Sequence, residues 1–187
     1  EAPEDGEAAP DALWVFKDGE AVKIADISMG AAYVPMDGVI YYLDGEDSAL
    51  LMALDVESGE VSLAMDLGFQ GAHLTPSMKG LLVRGLIEPG VFASRLYDAA
   101  SHTLIPSDID PTGEYRYFGG FETLLTGAGL MLREEGGEAW QTVYPGEVAA
   151  QAARDGALYY LIERKSPEAS YSEIFRFDPA AITKYAA

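Results

Sequence analysis

The stretch SDIDPTGEY carries a set of oxygen ligands at a suggestive spacing. Asp108, Asp110, Thr112 and the carbonyl of Glu114 stand at alternate positions, as the ligands of a calcium loop do, and Gly113 supplies the sharp turn. The twelfth position counted from Asp108 is Gly119, so the bidentate glutamate that closes such a loop is missing. These four residues form the candidate metal site, with calcium as the candidate ion; the plainer reading is an Asp-Pro-Thr-Gly turn. Just downstream, EYRYFGGF sets Tyr115, Tyr117, Phe118 and Phe121 around a glycine pair on what reads as a connection. Aromatic rings so placed can stack on a sugar or receive peptide side chains, because they bury much area at low entropic cost. They are the candidate ligand-binding residues, with core packing as the alternative.

Other chemistry is not legible. A G-x-S-x-G elbow is absent, as are the phosphate-cradling G-x-x-x-x-G-K-[ST] and G-x-G-x-x-G patterns. The chain has no Cys, which excludes disulfides, thiol nucleophiles and cysteine metal sites. His73 and His102 sit in unrelated contexts, one before a strand and one in a turn, so paired-histidine zinc ligation is not expected. Two carboxylates could serve glycoside hydrolysis, but among 31 acidic residues chance pairs are expected.

Charge narrows the partners. Twelve basic against 31 acidic residues give a formal charge of −19 over 187 residues. Nucleic acid needs basic side chains to neutralise its phosphates, and an anionic bilayer face would also be repelled. Neither is an expected partner. No apolar run approaches the ~18 residues of a membrane-spanning helix. EAPEDGEAAPD, residues 1–11, is acidic and rich in Pro and Ala, and reads as a flexible leader ahead of a single domain over residues 12–187. Such a stretch often follows an export signal or lipid anchor, and it equally occurs in mid-linker. An extracytoplasmic location, secreted or attached to the cell envelope, is the expectation.

The elements that must position any site come from a repeat. LMALDVESGEVSL alternates, turns and alternates again, the pattern of a β-hairpin. Related hairpins place Gly19, Gly59, His102, Gly146 and Ala180 at equivalent turns, separated by 40, 43, 44 and 34 residues. Between them, VIYYL, LLVRGL, LMLRE and LYYLIE are compact apolar strands, each entered through a glycine-containing turn. Tyr41, Tyr42, Tyr159 and Tyr160 recur on these strands as expected core. A period of about 40–45 residues with four strands per unit predicts an all-β propeller or partial propeller of four to five blade-like antiparallel sheets. A β-sandwich is the alternative. Residues 13–28 form an orphan outer hairpin, and a ring closed by a homo-dimer is one way to complete the set.

ALDVESGEVSL, Ala53 to Leu63, resembles the A-x-D-x-x-x-G-x-x-x-W docking motif of quinoprotein-like β-propeller repeats: Ala53, Asp55 and Gly59 match, and Leu63 stands in place of Trp. The resemblance implies that Ala and Gly let neighbouring blades approach and that Asp ties the turn. It implies the fold and not a quinone cofactor, since the Trp is replaced. The functional expectation is a non-catalytic scaffold presenting a face to a protein or a glycan, with a carbohydrate-active enzyme, hydrolase or lyase, as the competing class.

Overall fold

The computed structural model describes residues 11–17, 19–27, 32–44, 48–118, 120–165 and 169–178. Most of the acidic leader and the turn placed at Ala180 therefore lie outside the described residues; Asp11 already belongs to a strand. Every element among the described residues is a β-strand. Among the described residues no helix is long and apolar enough to cross a membrane, which says nothing of strands.

Contacts group the chain into two compact units, Glu1–Pro76 with Gly80–Ser107, and Ser77–Lys79 with Asp108–Ala187. The first unit holds three sheets. β1 (Asp11–Lys17) and β2 (Glu20–Ile27) form a two-stranded sheet, the orphan hairpin of the sequence. β3 (Tyr33–Met36), β4 (Val39–Asp44), β5 (Leu50–Asp55) and β6 (Val61–Asp66) make a four-stranded meander. β7 (Gln70–Ser77), β8 (Gly80–Glu88), β9 (Val91–Asp98) and β10 (Thr103–Pro106) repeat it. The second unit holds a fourth sheet of β11 (Glu114–Tyr117), β12 (Phe121–Thr126), β13 (Gly129–Glu134) and β14 (Gln141–Tyr144). Its fifth sheet has, among the described residues, three strands, β15 (Ala150–Arg154), β16 (Ala157–Lys165) and β17 (Ser170–Phe177).

Local chemistry explains the hairpins. β3 turns into β4, and β15 into β16, through Asp-Gly pairs with positive φ at both residues: 52° and 80° at Asp37 and Gly38, 52° and 72° at Asp155 and Gly156. Two consecutive left-handed residues match the twist of the flanking strands, and Asp-Gly tolerates that backbone best. The expected turn at Gly59 is tied by Asp55, whose Oδ1 accepts from the Ser58 amide at 2.7 Å and the Ser58 hydroxyl at 2.8 Å. One blade later Asp98 accepts from the Ala100 amide and the Ser101 hydroxyl, so the same device recurs around His102. These bonds to the ionised form hold both aspartates below the usual carboxylate range.

Cores follow from alternation. In the first unit Val34, Tyr41, Leu43 and Leu51 of the second sheet meet Leu74, Leu81, Val83 and Tyr97 of the third. In the second unit Phe121, Leu130 and Leu132 of the fourth sheet meet Val148 and Leu158, with Tyr144, Tyr160 and Phe177 beside them. Sheet thus covers sheet, the layer arrangement that lets a two-faced sheet bury its apolar side chains.

Two sequence expectations shift. Gly146 is not a hairpin turn: β14 closes the fourth sheet and β15 opens the fifth, so Gly146 lies on the link between them. The outer turn of the fourth sheet is instead residues 135–140, where Gly136 has φ 79°. EYRY is likewise not part of a connection but the strand β11, paired along its length with β12.

Candidate functional site

The fourth sheet buries a charge network. β12 and β13 pair across the Gly127–Ala128 turn so that Thr126 faces Gly129 and, four residues further from the turn on each strand, Glu122 faces Arg133. Both are almost wholly buried, 1% and 2% exposed. Arg133 donates from Nε to Glu122 Oε2 at 2.8 Å, and its Nη2 lies 2.7 Å from the same oxygen. The other oxygen, Oε1, accepts from the Tyr115 hydroxyl at 2.7 Å and from the Met78 amide at 3.2 Å. The remaining arm of the guanidinium, Nη1, donates to Asp108 Oδ2 at 2.6 Å. Trp140 places its ring 4.4 Å from the guanidinium carbon, a cation–π contact.

The electrostatics follow from that geometry. Burial lifts the Tyr115 pKa far above that of a free phenol, and the hydrogen bond to Glu122 lifts it further. Burial pulls Arg133 down, but its bonds to Glu122 and Asp108 outweigh this and hold it above its ordinary value. A guanidinium between two carboxylates, with both oxygens of the inner one satisfied, is a fully partnered ion network rather than a poised acid or base. On the opposite face of the same sheet the Thr123 hydroxyl donates to Gln151 Oε1 at 2.6 Å, and Gln151 Nε2 donates to the Glu114 carbonyl at 3.1 Å. Those bonds link the fourth and fifth sheets.

The expected calcium ligands fall into separate roles. The Asp108 carboxylate, 56% exposed, is the outer anchor of Arg133. Asp110 Oδ1 accepts from the Thr112 amide at 2.8 Å and its hydroxyl at 2.7 Å, which lowers the Asp110 pKa. The Glu114 carboxylate accepts from Arg116 Nε at 2.7 Å. The Gly113 amide donates a hydrogen bond to the Asp110 carbonyl, which closes the turn. Among the described residues no group of three or more His, Asp or Glu side chains converges as a metal site.

The aromatic candidates divide as well. Tyr115 and Phe121 are buried, Tyr115 in the charge network and Phe121 in the second unit's core. Phe118 packs tilted on Phe121 with ring centroids 5.3 Å apart, and Tyr117 is half-buried on β11. Tyr41 and Tyr42 are buried as expected and Tyr160 packs in its core, while Tyr159 points the other way. That other way is the outer face of the fifth sheet. Register pairs Ala150 with Leu161, Leu161 with Ile174, and Ala152 with Tyr159, so these side chains share a face. Together they line a shallow apolar depression of about 200 Å³, with Ile174 72% exposed.

Two blade-like meanders of four strands in one unit, and sheets of four and three strands in the other, define an all-β protein of the propeller class. Solved structures agree on the fold. The chain is similar to the tricorn protease (TM-score 0.53, 11% identity, 91% of this chain and 19% of that one). It is also similar to TolB from Acinetobacter baumannii (TM-score 0.51, 17% identity, 84% and 44%) and to a eukaryotic initiation factor (TM-score 0.52, 13% identity, 91% and 50%). The chain therefore spans half or less of the length of each. No family model and no curated protein matches the sequence.

Sequence reasoning passed over Glu122, Arg133 and the outer face of the fifth sheet. For the pair a signal exists: Glu122 in FETLL and Arg133 in LMLRE are opposite charges beside apolar residues, equidistant from a Gly-Ala turn. In a hairpin, equal distance from the turn means direct opposition.

Proposed function

We propose that this chain is a non-catalytic propeller-type scaffold that binds a protein partner through the outer face of its fifth sheet. The observation that carries the reading is the apolar depression of Ala150, Ala152, Tyr159, Leu161 and Ile174 on a chain whose formal charge is −19. Apolar side chains grouped on an otherwise charged surface mark contact sites, and aromatic anchors beside small residues form the pockets that hot-spot side chains fill. The competing enzyme reading needs two carboxylates open to a sugar. The pair described above, Asp108 and Glu122, is bridged by Arg133, and Glu122 is sealed from solvent. An extracytoplasmic location belongs to the same proposal and is supported by the Pro- and Ala-rich acidic residues 1–11.

The test pairs turnover with binding. The purified chain is expected to leave a polysaccharide panel intact, and Leu161→Asp with Ile174→Asp is expected to abolish protein binding without lowering the melting temperature. Turnover that disappears when two carboxylates are replaced overturns the scaffold. Binding confined to a glycan array and unaffected by the two aspartates removes the fifth sheet from the role.

A further inference from the structure

We infer that the protein segment received by the fifth sheet's outer face is acidic: an extended stretch that seats one apolar side chain in the depression and, two residues from it, sets a carboxylate on Arg176. This rests on the fifth sheet being a protein-binding face and adds the chemistry of what it takes. Register fixes the layout. Ala150, Leu161 and Ile174 form one row across the three strands, and Ala152, Tyr159 and Arg176 form the next row on the same face. Arg154 stands one row further, opposite Ala157, while Glu163 and Lys165 lie past Leu161 at the other end. The hollow of about 200 Å³ is smaller than the roughly 300–1,000 Å³ of a small-molecule site. It suits one anchoring side chain of a partner rather than an enclosed ligand.

Charge selects the segment. Residues 1–149 carry 26 acidic and seven basic side chains, whereas residues 150–187 carry five of each. The formal charge of −19 thus belongs entirely to the chain before the fifth sheet, and a segment bearing carboxylates is repelled least at this sheet. On the face itself, Arg154 lies 3.5 Å from the Asp155 carboxylate and Lys165 3.8 Å from that of Glu163. Arg176 is exposed at the rim of the hollow and, in a chain with 31 acids, makes no ion pair among the described residues. Asp155 and Asp178, the acids nearest in sequence to the two arginines, both stand outside the strands. A planar guanidinium beside an apolar hollow is the complement of a carboxylate carried beside an apolar side chain, because the two can pair through parallel hydrogen bonds.

Distance sets the spacing. Residues of a strand rise ~3.4 Å each and alternate faces, so Arg176 stands roughly 7 Å along from Ile174 on the same side. A segment lying extended beside them has the same rise, so its side chain two positions from the anchor meets the guanidinium. The Debye length is about 8 Å at physiological salt. A docked carboxylate therefore responds to Arg176 beside it more than to the distant acids.

The experiment titrates short Gly/Ser peptides into the isotope-labelled whole chain at about 0.15 M salt and follows backbone amide shifts by NMR. Each peptide carries one Tyr as anchor, with Asp, Asn or Lys two positions after it in one series and two positions before it in the other. An exposed ion pair contributes modestly. In one of the two series the Asp peptide is therefore expected to bind at least threefold tighter than the Lys peptide, with shifts centred on residues 159–161 and 174–176. Arg176→Glu should reverse that order and Arg176→Gln should erase it. The position is exposed, and unchanged amide shifts elsewhere in the chain confirm that each variant folds. Equal binding of the three peptides at this face, a preference for Lys, or a preference for Asp that survives Arg176→Glu overturns the inference and leaves the protein-binding reading standing. The absence of any shift at millimolar peptide also overturns it, and the scaffold reading is then decided separately by protein binding to the Leu161→Asp, Ile174→Asp variant.

Discussion

Replacing Glu122 by Gln keeps the shape of the buried network and removes half of its charge balance. The Gln oxygen can still accept from the Tyr115 hydroxyl and the Met78 amide, but the Gln amide then faces Arg133 Nε and Nη2, donor against donor. Breaking a buried ion pair by removing one partner costs about 3–5 kcal/mol, because the survivor remains desolvated and unpaired. Asp108 still holds Nη1, and its half-exposed carboxylate moderates the loss, so the low end, about 3 kcal/mol, applies. For a chain of this size that is roughly 6–12 °C of melting temperature. Arg133→Met strands Glu122 instead, leaving a buried carboxylate without its cation. The assay is thermal and urea unfolding followed by circular dichroism, for both single variants and the double. Each single should destabilise, and the double should cost at least about 2 kcal/mol less than their sum. Additivity, or a Glu122→Gln variant within about 1 kcal/mol of the parent, would refute the claim that the pair acts as one buried unit.

Asp55, Asp98 and Asp110 have folded pKa values below their ordinary one, so the stability they contribute is present above about pH 4 and is lost as pH falls through the folded values. Melting temperature should therefore hold or rise from neutral pH to about pH 5, as self-repulsion eases, and then fall below about pH 4. Tyr115 runs the other way: its folded pKa is raised, so its contribution is complete below about pH 10 and declines above it, and Tyr115→Phe should flatten the alkaline limb of the same titration. Gly129 has φ 141°, and a Cβ there would run into the Tyr144 carbonyl, so Gly129→Ala should cost upwards of about 2 kcal/mol in urea unfolding. Gly127→Ala, with open space around it, should stay within about 0.5 kcal/mol. Millimolar calcium should leave the melting temperature of the parent unchanged, and a clear upward shift would return Asp108–Glu114 to metal binding.

Strand identity was legible because alternation and Asp-Gly turns are local signals. The second and third sheets show it: MDGV, LDVESGEV and YDAASHT name their own turns, and the period placed those at Gly59 and His102 correctly. The fourth sheet defeated the same reasoning by one strand. Its β12–β13 hairpin, with a Gly-Ala turn, resembles the first hairpin of the other sheets but is the middle one. That displaced EYRY into a supposed connection and turned YPGEV into a supposed turn. Which hairpin comes first is decided by packing between sheets, not by the residues of the turn. The calcium reading failed to anticipate Arg133 for a similar reason. Asp108 lies 25 residues from its partner, and only strand pairing brings them together. The outer face of the fifth sheet was invisible because its side chains look like core; exposure depends on what lies opposite, and LYYLIE does not say.

The turn Ser77–Lys79 lies between two strands of the first unit yet is grouped with the second, and its Met78 amide donates to a carboxylate 44 residues later in the chain. A cut at 107/108, the obvious place to express the second unit alone, would therefore remove a hydrogen-bond donor from Glu122 and leave that acid's Oε1 with the Tyr115 hydroxyl alone. Such an excised half would begin life with its buried ion network incomplete. Vectorial synthesis avoids the difficulty, because the ribosome releases Met78 well before Glu122, so the donor is in place when the acid arrives. The same asymmetry makes a circular permutant that opens the 77–79 turn a harsher alteration than one that opens residues 135–140.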